Sequence, residues 1–592
     1  VSIVTRIVGD PTLRTRIAAA AVALSAFAWG VFTLPRYGVT FDAPSLFYTG
    51  DRTLFFLTHP STPFALDFMA PVEPVGFHSD FVLSPEITDP VNIPAFPGIV
   101  CAIANGIFHE RLGWLNAIDG HHLGLVALHA IALFAYVVYG QRLIGLRGAV
   151  IGALLLALFP CALGHSFNNA KDWPSAQFYG VAVLSAGAAI LDERPRGLLV
   201  AGAWLGVALA AKFNPVFAVV TLLLWVPLVY RARYRAGTPV PDAMVLAGLA
   251  FPVVGAVLFV LSWPWLYHGP VRDWPLNIFQ YLFYMISHGV GGSHPPSSFP
   301  LRCVVFMTPP AVLVLAALYA VRGHVGPSRQ RLVWELLVIW TALPVLRVSM
   351  PNAGFYDANR HFIEYIPALC AMAGAGASLG LDWLARLPRH ARAAEAAAIV
   401  ALAGATVWPV ATTHPFETEY FNLLAGGLGG AQRRGVLSAD PPLGGANGSE
   451  ADYWFNSLRE ALGVMRKLRH DGQKLGACGP WPAQVQVDWE FQEKLSYSGD
   501  QRGHIAHGTL SADLLYASPR SEGACSWRVV REWERTRPIF WRVERDGGLI
   551  YEIFGLPDGV RRPAVSPPTH YDPSARDTPA QEAPPALGRV VP

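Results

Sequence analysis

Three short stretches of the 592-residue sequence set carboxylates beside fixed cations. The first, GVTFDAPSLFYTGDR, carries Asp42 and Asp51. The second, HSFNNAKDWP, carries Asn168, Asn169, Lys171 and Asp172, and the third, MPNAGFYDANRHF, carries Tyr356, Asp357, Arg360 and His361. A carboxylate can take the proton from an attacking hydroxyl, and Lys or Arg can hold a phosphate leaving group, Arg through two parallel hydrogen bonds. Lys212, in LAAKFNP, is either another cation for the same surface or a side chain snorkelling from a helix end. The chemistry these residue types allow is group transfer from a phosphate-linked donor. At a lipid boundary, that donor is a lipid-linked phosphate.

The elements that must position these residues are apolar. The chain is 52% hydrophobic and 15% charged, with mean hydropathy +0.34 and formal net charge +3, whereas a soluble protein is roughly a quarter charged. Eleven charge-poor runs, at 17–34, 121–139, 149–164, 176–191, 197–211, 213–230, 243–267, 303–321, 332–346, 362–381 and 396–413, are each roughly long enough to cross a ~30 Å hydrocarbon core at ~1.5 Å per residue. The first is read as a retained anchor. Arginines gather on every second connection (Arg6, Arg14 and Arg16; Arg142 and Arg147; Arg194 and Arg196; Arg231, Arg233 and Arg235; Arg322, Arg329 and Arg331; Arg386, Arg389 and Arg392). The positive-inside rule therefore places the N-terminus in the cytoplasm and all three polar stretches on the opposite face. Ionisable groups held at membrane depth are costly, so three such stretches on one face point to function.

The expected fold is a polytopic α-helical membrane protein of about 11 transmembrane helices with a small C-terminal α+β extracytoplasmic domain. Residues 1–413 form the membrane domain, with a long first external loop at 35–120 carrying surface-lying helices. Residues 414–556 form the outer domain, in the periplasm of a bacterial cell, and 557–592, rich in Pro, Ala and Arg, are expected to be disordered. Strand patterns occur at 484–489 (QVQVDW) and 537–554, where Asp546, Gly547 and Gly548 make a hairpin turn. Cys478 and Cys525 fall in the outer domain, as a disulfide or as two thiols, and no CxxC spacing occurs. The absence of a basic stripe with interleaved aromatics excludes nucleic acid, and the absence of a Rossmann fingerprint or DxD pair argues against a nucleotide-sugar pocket.

Taken in order, FDAPSLFYTGDR, HSFNNAKDWP, YDANRHF and HPFETEYFNLLAGG followed by DYWFNSLREAL resemble the GT-C glycosyltransferases of the protein O-mannosyltransferase and aminoarabinose-transferase type (glycosyltransferase family 39-like). The resemblance implies a multispan enzyme that takes a sugar from a polyprenyl-phosphate donor, with an acidic residue of the first external loop acting on the acceptor. By that resemblance Asp42 is the catalytic base and Asp172 a second catalytic acidic position. Arg360 with His361 matches a donor-phosphate or acceptor contact; from their residue types Lys171, Arg360 and Lys212 are expected to hold the donor phosphate, and Asp51, Tyr356, Asp357 and His361 to contact substrate. The family's first loop commonly carries an acidic pair, but Ala43 follows Asp42 here, leaving Asp51 or Asp172 to stand in. Of the oligosaccharyltransferase WWDYG signature only Asp452, Tyr453 and Trp454 remain, which argues for transfer of a single sugar.

A divalent metal held by His59, His165, His288 or His294 with a carboxylate is an open alternative, although scattered loop histidines more often bind none. Two rival readings are a transporter or flippase for a lipid-linked anion and a non-catalytic scaffold. Transporters usually show internal repeats and mid-membrane charges, and no clear repeat is seen. The sugar and the acceptor, whether protein, lipid or polysaccharide, are not written in the sequence.

Overall fold

The computed structural model describes residues 10–40, 42–59, 94–267, 269–289, 295–354, 357–387, 391–437, 451–452, 454–469, 473, 475–477, 513–518 and 535–555. Tyr356, Tyr453, His294, Cys478, Cys525, the 484–489 strand and the 557–592 tail lie outside them, as does the His288 side chain.

The helices, in chain order, are α1 (Pro11–Thr33), α2 (Ala43–Thr58), α3 (Phe96–Asn105), α4 (Ala117–Ala157), α5 (Pro160–Asn168), α6 (Asp172–Leu191), α7 (Pro195–Leu209), α8 (Val216–Arg235) and α9 (Asp242–Ser262). They continue with α10 (Trp274–Gly289), α11 (Phe299–Met307), α12 (Pro310–Arg322), α13 (Ser328–Ser349), α14 (Tyr365–Leu384), α15 (Ala391–Thr413), α16 (Gly427–Arg434) and α17 (Leu458–Leu468). Their starts are written locally. Asp10 caps α1 by accepting from the backbone N–H of Thr12 at 2.8 Å and Leu13 at 3.2 Å, and Asn116 caps α4 by accepting from Asp119 N–H at 2.9 Å.

The chain is a multi-pass membrane protein. Among the described residues, seven helices are long and apolar enough to cross a membrane, or eight if α11 and α12, bent by 110° at their junction, form one span. The expected eleven is reached only by counting three more segments. The 41-residue α4 holds two of the expected runs, broken at Gly145 (φ 74°, ψ 160°), and the 15-residue α7 and the Ala- and Gly-rich α14 carry the others.

Small residues let these helices approach closely. A Cβ on Gly374 of α14 would stand 2.2 Å from the Gly148 carbonyl oxygen and 2.6 Å from the Gly152 nitrogen of α4, so the crossing there depends on bare backbone. Around α4 pack α1, α3, α6 and α14, and α7 bridges α6 and α9.

The C-terminal region adds a four-stranded sheet of β1 (Leu475–Ala477), β2 (Leu514–Ala517), β3 (Ile539–Arg545) and β4 (Gly548–Gly555), in the order β1-β2-β4-β3. The expected hairpin is present as β3 and β4. Asp546 (φ 46°) and Gly547 (φ 69°) occupy its turn, the positive-φ pair that a two-residue hairpin prefers. Leu458, Ala461, Leu462 and Met465 form the buried face of α17, which packs on β2 and β4. Asn422 ties this region to the α11–α12 break by donating to the carbonyls of Val305 at 2.7 Å and Thr308 at 2.8 Å.

Candidate active site

The site is assembled from four connections. Asp42 sits at the head of α2, where Pro44 starts the helix and the Asp42 side chain makes no capping bond. Its carboxylate is therefore available for tertiary contacts. Thr40 holds the approach to it by donating to the Asn168 carbonyl at 3.1 Å. Across from it, the Asn169 side-chain oxygen accepts from the backbone N–H of Lys171 at 3.1 Å and Asp172 at 2.7 Å. One short side chain thus fixes both neighbouring charges, as a helix cap does.

Arg360 gathers the carboxylates. Its Nη1 lies 2.7 Å from Asp42 Oδ2 and 3.5 Å from Asp172 Oδ2, and its Nη2 lies 2.7 Å from Asp357 Oδ2. Lys171 Nζ donates to the same Asp42 Oδ2 at 3.1 Å, and Lys212 Nζ to Asp172 Oδ1 at 2.5 Å. Three carboxylates face three cations, so the resting cluster is close to neutral. Arg360 and Asp172 are deeply buried, with side chains 4% and 1% exposed, whereas Asp42 and Lys171 keep 23% and 21%. The site therefore opens at the Asp42–Lys171 end.

The Asp357 end is strained into place. Asp357 (φ 54°) and Ala358 (φ 55°) are consecutive non-glycine residues in the left-handed region, a geometry costing about 1–2 kcal/mol each and kept only where the surroundings enforce it. The His361 carbonyl accepts from Arg347 Nη2 at 2.7 Å and from Asn214 Nδ2 at 3.3 Å, tying the turn to α13 and to the Lys212 loop.

Electrostatics follow from this packing. Burial alone would raise the Asp42 carboxyl, but Lys171 and Arg360 together outweigh it and hold the group below its ordinary range. Burial, reinforced by Lys212 and Arg360, pushes the His361 imidazole well below its usual value, so the ring is neutral. Burial also lowers Lys212, against the opposing pull of Asp172.

Of the residues singled out by sequence, Asp42, Lys171, Asp172, Lys212, Asp357, Arg360 and His361 come together. Asp51 does not. Nine residues along α2 from Asp42, about 13 Å at 1.5 Å per residue, it is buried against His121, with Nε2 3.2 Å from its Oδ2. Tyr356 lies outside the described residues. Among the described residues no group of three or more His, Cys, Asp or Glu could hold a metal ion. His165 contacts Asn169 through Nδ1 at 3.2 Å, and His59 stacks on Phe55 at the end of α2. Sequence reasoning missed Arg347 and Asn214, which brace the His361 turn, and Asn456, whose Oδ1 accepts from Asn168 Nδ2 at 3.0 Å. An arginine abutting an apolar run was the one signal for Arg347.

Residues 120–263 match the family model of dolichyl-phosphate-mannose-protein mannosyltransferase. That segment contains Lys171, Asp172 and Lys212, and the match is to a family of the type that the chain's motifs resemble. No curated protein matches the sequence. Among solved structures, the chain is similar to ArnT from Cupriavidus metallidurans bound to undecaprenyl phosphate, at 14% identity and TM-score 0.45, covering 91% of this chain and 97% of that one. It is also similar to the apo oligosaccharyltransferase of Archaeoglobus fulgidus, at 11% identity and TM-score 0.44, covering 88% of this chain and 72% of that one.

Proposed function

We propose that the protein is a membrane glycosyltransferase that moves one sugar from a polyprenyl-phosphate carrier to an acceptor on the extracytoplasmic face, with inversion at the anomeric carbon. The observation that carries this reading is the sharing of Asp42 Oδ2 by Lys171 Nζ at 3.1 Å and Arg360 Nη1 at 2.7 Å. A base and two phosphate-binding cations occupy one spot, at the more exposed end of the cluster. The match of the Lys171-to-Lys212 segment to a mannosyltransferase family supports it.

The resting geometry supplies the order of events. While Lys171 and Arg360 hold Asp42, the carboxylate is a weak base. An incoming phosphate competes for the same two cations and, by drawing them off, restores basicity to Asp42 when the donor is in place. The acceptor hydroxyl or amine then attacks the anomeric carbon and gives its proton to Asp42. The bond from that carbon to the phosphate oxygen breaks, and its electron pair leaves with the polyprenyl phosphate. Lys171, Arg360 and Lys212 stabilise the charge that develops on the leaving group. Asp172 and Asp357 keep the cations aligned.

The test is acceptor-dependent release of free polyprenyl phosphate from a radiolabelled polyprenyl-phosphate sugar by the purified protein in nanodiscs. Release that needs an acceptor and yields a glycosylated product supports transfer. Movement of intact donor across the bilayer without bond cleavage would instead establish the transporter or flippase. Mass spectrometry of cell-envelope glycans and lipids with and without the protein identifies the sugar and the acceptor.

A further inference from the structure

Trp454 of the C-terminal region has a place in the site that the transfer chemistry does not use. Trp454 is 1% exposed, and the Arg360 guanidinium carbon lies over its ring, 4.8 Å from the centroid. The ring also meets the His165 imidazole, edge-on at 5.6 Å. Its indole nitrogen is buried with no hydrogen-bond partner among the described residues. The indole is therefore not held there by a hydrogen bond within the protein, and what its π face offers is a seat for a cation.

The segment around Trp454 is locked. Asp452 (φ 51°) and Phe455 (φ 62°) flank it in the left-handed region, a conformation that persists only where contacts over-determine it. Those contacts are present. Asp452 accepts from Ser457 N–H at 2.9 Å and Tyr516 O–H at 2.5 Å. Asn456 donates to Glu419 Oε1 at 2.9 Å and accepts from Asn168 at 3.0 Å. Arg459 Nη1 lies 2.6 Å from Asp119 Oδ1 and donates to the Tyr37 carbonyl at 2.9 Å. A rigid strap therefore presses one aromatic face onto the one guanidinium that touches Asp42, Asp172 and Asp357.

We infer that Trp454 is a positioning residue for donor binding. It holds the plane of the Arg360 guanidinium so that Nη1 stays at the Asp42 end when the carboxylate yields to phosphate. This rests on the donor-phosphate reading of Arg360. It makes the C-terminal region part of the transfer site and assigns Trp454 an effect on donor affinity, with no contact to the reacting atoms.

The experiment measures binding of geranylgeranyl phosphate to the full-length protein in nanodiscs, with thermal unfolding of each variant alongside. Trp454→Leu is expected to weaken binding roughly 10- to 30-fold, the scale of a desolvated cation–π contact. Trp454→Phe, which keeps a ring and drops the N–H, should stay within about 3-fold of wild type. In an Arg360→Lys background Trp454→Leu should add little, because the planar fork it orients is gone. If Trp454→Leu does not fold, Trp454→Met fills the space without a π face and takes its role. Equal binding by wild type and all Trp454 variants would overturn the positioning role while leaving the donor reading intact. An undiminished effect in the Arg360→Lys background would overturn it too. Failure of the wild-type protein to bind the probe would overturn the donor reading and this inference with it.

Discussion

Arg360 Nη1 stands 2.7 Å from Asp42 Oδ2 although 318 residues separate the two in sequence. Asp42→Asn removes the proton acceptor and keeps the shape. Turnover is expected to fall ~10²- to 10⁴-fold, the usual worth of general-base assistance. Polyprenyl phosphate should bind at least as tightly as in wild type, since Lys171 and Arg360 lose a competing anion. Rapid-quench product analysis and lipid binding measured on the same sample check both arms; full turnover in the variant would remove Asp42 from the role.

Lys171→Ala deletes a cation whose side chain is only partly buried, at 21% exposure, so the fold should tolerate it. We expect KM for the donor to rise about tenfold or more, with the acceptor KM changed far less. Steady-state kinetics varying each substrate separates the two. Arg360→Ala is the harsher change, because it takes one cation from each of two buried carboxylates, Asp357 at 2.7 Å and Asp172 at 3.5 Å, although Asp172 keeps Lys212; losing one partner of a buried ion pair costs about 3–5 kcal/mol.

Asn169→Ala should cost about 1 kcal/mol of stability through loss of the cap on the Lys171 and Asp172 amides. It should lower activity by a larger factor than that loss accounts for, since both charges shift together. A chemical-denaturation midpoint paired with a turnover assay reads the two effects.

Glu419 supplies a pH test. Burial, with the neighbouring Asp452 charge adding to it, pushes its carboxyl up to about 8. Folded protein therefore retains a proton that the unfolded chain releases above its ordinary value near 4.5. Stability falls as pH rises between those limits, because the native state binds more protons there. The unfolding temperature of the wild type should drop from pH 5 to pH 8, and Glu419→Gln should flatten that slope. An unchanged slope in the variant would assign the pH dependence to another group.

The parts of this architecture that were legible in sequence are those written locally. Apolar run length marked the helices, and Asp-Gly-Gly between alternating strands marked the β3–β4 hairpin. The grouping of Asp42, Lys171, Asp172, Arg360 and His361 was legible through charge in an otherwise charge-poor chain. Asp51 was drawn in by proximity in sequence, but helical rise carries it away from Asp42, and its partner His121 sits within an apolar run and gave no sign of pairing. The runs at 121–139 and 149–164 fall on either side of the break at Gly145 within α4, and the run at 303–321 takes in the 110° bend between α11 and α12, which hydropathy alone does not show. The brace of Arg347 and Asn214 on the His361 carbonyl could not be read, since backbone acceptors have no signature in the residue string.

The balance of three acids against three bases has a bearing on which molecules reach the site. A pocket without surplus charge exerts little pull at distance, so dissolved phosphates in the surrounding medium are not drawn to it. An anion that competes well must already be concentrated beside the opening, as one tethered in the adjacent leaflet is. Selection between a membrane-borne carrier and its water-soluble mimics then begins with two-dimensional diffusion, before any recognition of the sugar.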